Sequence, residues 1–207
     1  MSETMSPPPL ARQRGPADHA IRDQIIQAAG AHFRHYGYAK TTVSDLAKAI
    51  GFSKAYIYKF FQSKQAIGEA ISVDCVTTIL EAARSEVDRT STATGKLRVL
   101  FKTVTAKCLE LLFEDKRLYD IVTCAIAERW GVDVIYNSGL SALLRRIILE
   151  GREAGEFERK TPLDETCRAI MCAMSPFIHP VALEMNLENL PETSAELTSL
   201  VLRSLAP

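Results

Sequence analysis

Residues 42–61 read TVSDLAKAIGFSKAYIYKFF. Two short helices that cross closely need a small residue at the crossing, a turn residue that accepts positive φ, and apolar side chains that lock the pair. Ala47, Gly51 and Ile57 stand at the fifth, ninth and fifteenth positions counted from Val43, and they supply these three properties. Thr42, followed three residues later by Asp45, predicts a capping box at the start of the first helix, and Ser53 predicts a cap on the second. Val43, Leu46, Ala47 and Ile50 form the expected buried face of the first, and Ile57, Phe60 and Phe61 that of the second. The stretch is a helix-turn-helix whose second helix, beginning near Lys54, is shaped to enter a DNA major groove.

On the N-terminal side, Ile21, Ile25, Ala28, Ala29, His32, Phe33 and Tyr36 recur at three- and four-residue steps and predict a helix over residues 18–36. Asp18 is its expected N-cap and Gly37 its left-handed C-terminal cap. On the C-terminal side, apolar periodicity predicts helices over residues 64–88, 96–113, 116–129 and 132–154, with TSTATG (residues 90–95) as a loop. Pro162 suits the first turn of a further helix that Pro176 and Pro180 must bend or end, and a last helix follows Pro191. No segment shows sustained strand alternation. The expected fold is all-α with about nine helices, divided into a tail (1–17), a helix-turn-helix domain (18–63) and a helical ligand-binding and dimerisation domain (64–207).

Charge is unevenly spread. The chain carries 25 basic and 25 acidic residues, but residues 1–68 hold nine Lys/Arg against four acids, a net of +5, leaving −5 in the rest. A basic N-terminal third is the electrostatic footprint of a polyanion-binding module. No apolar run approaches the ~18 residues of a membrane span, and the Pro-rich N-terminus lacks the apolar stretch of a secretory signal, so a cytoplasmic protein without membrane contact is expected. Arg12 and Arg14 in that tail have the composition of a minor-groove arm, or of an uninvolved tail. Five widely spaced cysteines without a CxxC pair read as buried reduced thiols and not as a zinc site. His32 and His35 have no third ligand near them, so no metal and no cofactor is expected.

The motif resembles the TetR/AcrR type of bacterial transcriptional regulator. The resemblance is carried by Gly37-Tyr38, by Thr42, Leu46 and Ala47, by Gly51-Phe52-Ser53, by Ile57-Tyr58 and Phe61, and by Ser63-Lys64. It implies a homodimer joined through the last two helices, a ligand cavity within helices four to seven, and a helix four that moves the DNA-binding heads when ligand binds. It also implies a set of DNA contacts. Tyr58 and Lys64 fall on phosphate-contacting positions, with Thr42 where a helix N-terminus meets phosphate. Ser44, Lys54, Ala55 and Tyr56 fall on positions facing base edges. Ser53 and Lys59 complete the expected DNA-binding set. Tyr56 stands where a small Thr or Ser is usual, and Phe60 stands where His or Tyr is common and is not counted as a contact.

The implied partners are a pseudo-palindromic double-stranded operator, a second copy of the chain, and a small, largely apolar effector. Phe101, Cys108, Tyr119, Trp130, Tyr136 and Phe177 are the candidate cavity lining, although ordinary core packing explains each equally well. The expected function is that of a repressor released from its operator by the effector. A constitutive DNA binder without effector is the alternative. A helical enzyme is disfavoured because no nucleophile–base pair, paired-carboxylate motif or phosphate-binding glycine loop is present.

Overall fold

The computed structural model describes residues 16–207, so the N-terminal tail with Arg12 and Arg14 lies outside the described residues. Ten α-helices follow one another: α1 (Pro16–Tyr36), α2 (Val43–Ile50), α3 (Lys54–Ile57), α4 (Lys64–Asp88), α5 (Ala93–Glu114), α6 (Lys116–Ala127), α7 (Val132–Glu153), α8 (Leu163–Ile178), α9 (Pro180–Glu184) and α10 (Leu190–Ser204). No strand occurs among the described residues. The all-α expectation holds, and the helix beyond nine is the five-residue α9. It exists because the prolines divide their labour: Pro176 lies inside α8, whereas Pro180 occupies the first turn of a new helix after His179 ends the old one.

Helices α1–α3 form a head in which Ile25, Ala29, Phe33, Leu46, Ile57 and Phe61 are at most 3% exposed and join one hydrophobic cluster with the rest of the protein. The remaining helices form a body organised around α4, which packs on α5, α6 and α7 and also on α1. Its length carries it from Lys64 beside the head to Asp88 at the far end of the body.

Several expectations are corrected at element edges. Asp18 lies within the first turn of α1 and does not cap it. Tyr36 is 55% exposed, off the buried stripe, because it is the last helical residue before the turn at Gly37 (φ +88°). Ile50 is only half-buried. The TSTATG segment is half helix: Thr92 caps α5 by accepting from the Gly95 N–H, so Ala93, Thr94 and Gly95 form its first turn. α6 ends at Ala127, because Arg129 adopts φ +57° and turns the chain towards α7.

The segment GREAGEF (residues 151–157) explains how α5 can begin there. Both Glu156 carboxylate oxygens accept backbone N–H groups of α5, from Ala93 and from Thr94, each at 2.9 Å. A helix N-terminus exposes unpaired donors and a partial positive charge. Here a carboxylate from the α7–α8 turn satisfies them, and these hydrogen bonds hold the Glu156 carboxyl below its ordinary range.

Candidate nucleic-acid interface

The caps around α2 and α3 form as expected. Thr42 Oγ1 accepts from the Asp45 N–H at 3.2 Å, and the Asp45 carboxylate accepts from the Thr42 N–H at 2.9 Å and the Thr42 hydroxyl at 2.7 Å. These bonds, first that from the Thr42 hydroxyl and then that from its N–H, hold the Asp45 carboxyl below its usual range. Both Thr42 donors expected at phosphate therefore point at Asp45, which leaves the N–H groups of Val43 and Ser44 in the first turn of α2 for an anion. Gly51 has φ +78°, and Ser53 Oγ accepts from the Tyr56 N–H at 3.1 Å.

The recognition helix α3 spans only four residues before tightening into a turn, with the Lys59 N–H donating to the Tyr56 carbonyl and the Phe60 N–H to the Ile57 carbonyl. Ile57 points inward and is fully buried. With that residue fixed, Ser53, Lys54, Ala55, Tyr58 and Lys59 are all exposed, while Ser44 is half-exposed on α2. The Lys54 ammonium lies 5.8 Å from the Tyr58 ring centre, so these two present a joint cationic and hydroxyl-bearing patch. Tyr56 behaves differently. It is half-buried between Phe52 and Phe60, with ring centres 5.0 and 5.4 Å away, and Lys59 lies over its face at 5.4 Å. An aromatic row thus holds the bulk that departs from a small side chain.

Lys64 occupies a different position from the rest of the expected set. Its ammonium donates to the Tyr38 carbonyl at 3.0 Å and sits 4.3 Å from the centre of the Tyr38 ring. Tyr38 packs against Phe33 in the head and Trp130 in the body, with ring centres at 5.1 and 5.7 Å. Desolvation, reinforced by Cys124 and Glu128, pushes the Tyr38 hydroxyl up to about 12, so it stays neutral. Gly68 makes this approach possible, since a Cβ there would stand 2.9 Å from Tyr38 and 3.0 Å from Trp130. A second tie runs from Arg34 on α1 to Asp115 at 2.6 Å, and Asp115 also caps α6 by accepting from the Leu118 N–H. Sequence reasoning missed this joint because its partners are far apart in the chain; the bulk of Tyr38 and Trp130 gave no hint of their pairing.

The candidate ligand residues scatter. Trp130 belongs to the joint just described, with its ring N–H donating to Glu128 at 2.9 Å. Cys108, Tyr119 and Tyr136 gather around the α8–α9 bend. The Tyr136 hydroxyl donates to the Ile178 carbonyl at 2.6 Å, and the single Tyr119 hydroxyl hydrogen is shared between the Glu184 carboxylate at 2.8 Å and the Pro180 carbonyl at 3.0 Å. Burial pushes the Cys108 thiol, 3.5 Å from the Tyr136 hydroxyl, up to about 11. Phe101 is a core residue at 1% exposure, and Phe177 borders a surface cavity beside Glu184 and Leu187. All six are buried, Trp130 and Phe177 at 7% and the other four at 2% exposure or less. The cysteines are all free, but Cys172 is exposed and Cys75 and Cys124 are half-buried, against the expectation of buried thiols. Among the described residues no cluster of three His, Cys, Asp or Glu is arranged for a metal, and no helix is long and apolar enough to cross a membrane.

Residues 25–71 match the family model described as bacterial regulatory proteins, tetR family, and residues 93–201 match that of the tetracyclin repressor-like C-terminal domain. The biofilm operon icaADBC HTH-type negative transcriptional regulator IcaR of Staphylococcus aureus (strain Newman) is 42% identical over 55 residues, which cover 27% of this chain and 29% of that relative. The match thus spans less than a third of the curated relative. Among solved structures, the fatty acid degradation regulator FadR from Bacillus halodurans superposes with a TM-score of 0.63 at 23% identity, covering 88% of this chain and 98% of that one. FadR from Bacillus subtilis, solved with stearoyl-CoA, gives 0.64 at 21% identity over the same shares. At these identities the likeness to the solved structures speaks for the fold.

Proposed function

Because the chain belongs to the TetR family of bacterial regulatory proteins, we propose that it is a dimeric, sequence-specific repressor that leaves its operator when a small ligand binds. Membership makes it a DNA-binding transcriptional regulator and not an enzyme; repression, dimer and ligand response belong to the proposal. The carrying observation is the capped α2–α3 unit, which buries Ile57 and thereby turns Lys54, Ala55 and Tyr58 outward together. In this reading Lys54 and Ala55 face base edges. Tyr58, Lys59, Ser53 and the Val43 and Ser44 N–H groups at the α2 N-terminus meet phosphates, while the Ser44 side chain and the exposed edge of Tyr56 join the base-facing set. Lys64 acts by holding Tyr38 and so fixing the head on α4. The head comprises residues 18–63 and the responding body residues 64–207. A two-fold dimer calls for a pseudo-palindromic site.

Selection from random double-stranded DNA followed by fluorescence anisotropy tests this. The expected result is a two-fold symmetric consensus, bound with an affinity that falls steeply with salt. Repression is tested by a reporter placed behind that site. Failure to enrich any sequence would overturn the reading, and an enriched site without two-fold symmetry would overturn the dimer.

A further inference from the structure

A cleft of about 540 Å³ opens between head and body, bounded by α1 on one side and by α4, α5 and α6 on the other. That volume lies within the range of small-molecule sites. Its walls include Ile26 from the head and Ile71, Ile79, Leu111 and Leu118 from the body. Six charged side chains also line it: Arg34, Asp74, Lys107, Glu110, Glu114 and Asp115. Four of them are matched, Arg34 with Asp115 at 2.6 Å and Lys107 with Glu110 at 2.5 Å. Among the described residues, Asp74 and Glu114 have no ion-pair partner. Cys75, also in the wall, adds no charge, since burial pushes its thiol up to about 12.

We infer that this head–body cleft is the effector site, and that it takes an organic cation with an apolar body. The inference rests on the ligand-responsive reading above and names its site and ligand class. The apolar walls hold the body of the ligand, and the two unmatched carboxylates select its charge. The cleft also explains how occupancy reaches DNA. Its two walls belong to different units, and the Arg34–Asp115 tie joins them at its edge. A ligand seated there sets the spacing between α1 and α6, so it binds one head orientation better than the other, which is the condition for shifting a population.

The test uses trimethylammonium-diphenylhexatriene, a fluorescent rod with one cationic end, beside neutral diphenylhexatriene. The wild-type chain is expected to prefer the cation by about ten-fold, the strength two carboxylates provide at a solvated site. The Asp74→Asn/Glu114→Gln double variant alters only exposed side chains and should erase that preference. Gly30 lines the cleft, and a Cβ there would meet only the Arg34 tip, at 3.8 Å. Gly30→Leu should therefore block both probes while the chain still binds the selected DNA. The cationic probe should weaken DNA binding by wild type and not by Gly30→Leu. A preference that survives the double variant, probe binding unchanged in Gly30→Leu, or DNA affinity indifferent to the probe would each overturn the inference. A wild type that binds no DNA without probe would instead overturn the regulator reading, leaving the cation site to be judged on the fluorescence titrations.

Discussion

Glu156 links two helices through two hydrogen bonds to backbone N–H groups, and its contribution can be isolated by pH. Its folded-state pKa lies below the ordinary glutamate value of about 4.3. The stabilisation is therefore complete above that value and is lost as pH falls through the folded pKa. Glu156→Gln should cost about 1–2 kcal/mol at pH 7, in the range of lost caps and charge-assisted bonds. The two proteins should converge once the pH has fallen below the folded pKa, as urea titrations would show; a difference independent of pH would refute the capping role. Tyr58 offers a residue-level test of the DNA reading. It is 43% exposed, and its ring lies beside the Lys54 ammonium. Tyr58→Phe keeps the ring and removes the hydroxyl, so affinity for the selected DNA should fall about five- to ten-fold, equal to one hydrogen bond of about 1 kcal/mol or slightly more. The loss should be alike for specific and scrambled DNA, because a phosphate contact carries no base preference.

Between elements, the joint of α1, α4 and the α6–α7 turn rests on Gly68. A methyl group there meets the rings of Tyr38 and Trp130 at 2.9 and 3.0 Å, and both rings are already wedged, by Lys64 and by Glu128. Gly68→Ala should destabilise by about 1–3 kcal/mol, as overpacking does. Trp130 is the sole tryptophan, 7% exposed, so its emission reports this joint directly and should shift to the red. Unchanged emission and stability would mean that the rings do not bear on α4 in solution. The contrast between this joint and the head shows what the sequence discloses. Thr42–Asp45, Gly51 and Ser53 were legible because a cap is a bond across three residues and a left-handed turn favours glycine. The Glu156 bonds to α5 span 62 and 63 residues, and the Lys64 bond to Tyr38 spans 26, with no local signal. For the same reason Phe101, Cys108, Tyr119, Tyr136 and Trp130 could be chosen as apolar and interior, yet neither the α8–α9 bend that gathers three of them nor the joint that takes Trp130 could be read. The head–body cleft stayed hidden because its charged walls look like ordinary solvated helix faces until the partners of each charge are known.

The balance of charge across the protein gives the regulator its polarity: net +5 to residue 68 and −5 thereafter, so the basic head is drawn to DNA while the acidic body is repelled from it. In the proposed dimer one such head covers half of a symmetric site, and the body supplies the contact with the second copy. Helices α8 and α10 pack on each other, and the outer side of α8 carries Ala169, Cys172 and Ala173, all exposed, while Leu200 on α10 is 54% exposed. Small residues allow a partner helix to approach closely, since interaxial distance follows side-chain size. Ala169→Glu places bulk and charge on that face without touching the buried side of α8. Sedimentation equilibrium should give twice the 22.9 kDa chain mass for the wild type and the chain mass itself for the variant. Losing the second head should weaken binding to the full site by about 100-fold or more while leaving half-site binding unchanged, because linked sites gain through effective concentration alone. A variant that stays dimeric and binds the full site normally would place the subunit contact elsewhere on the body.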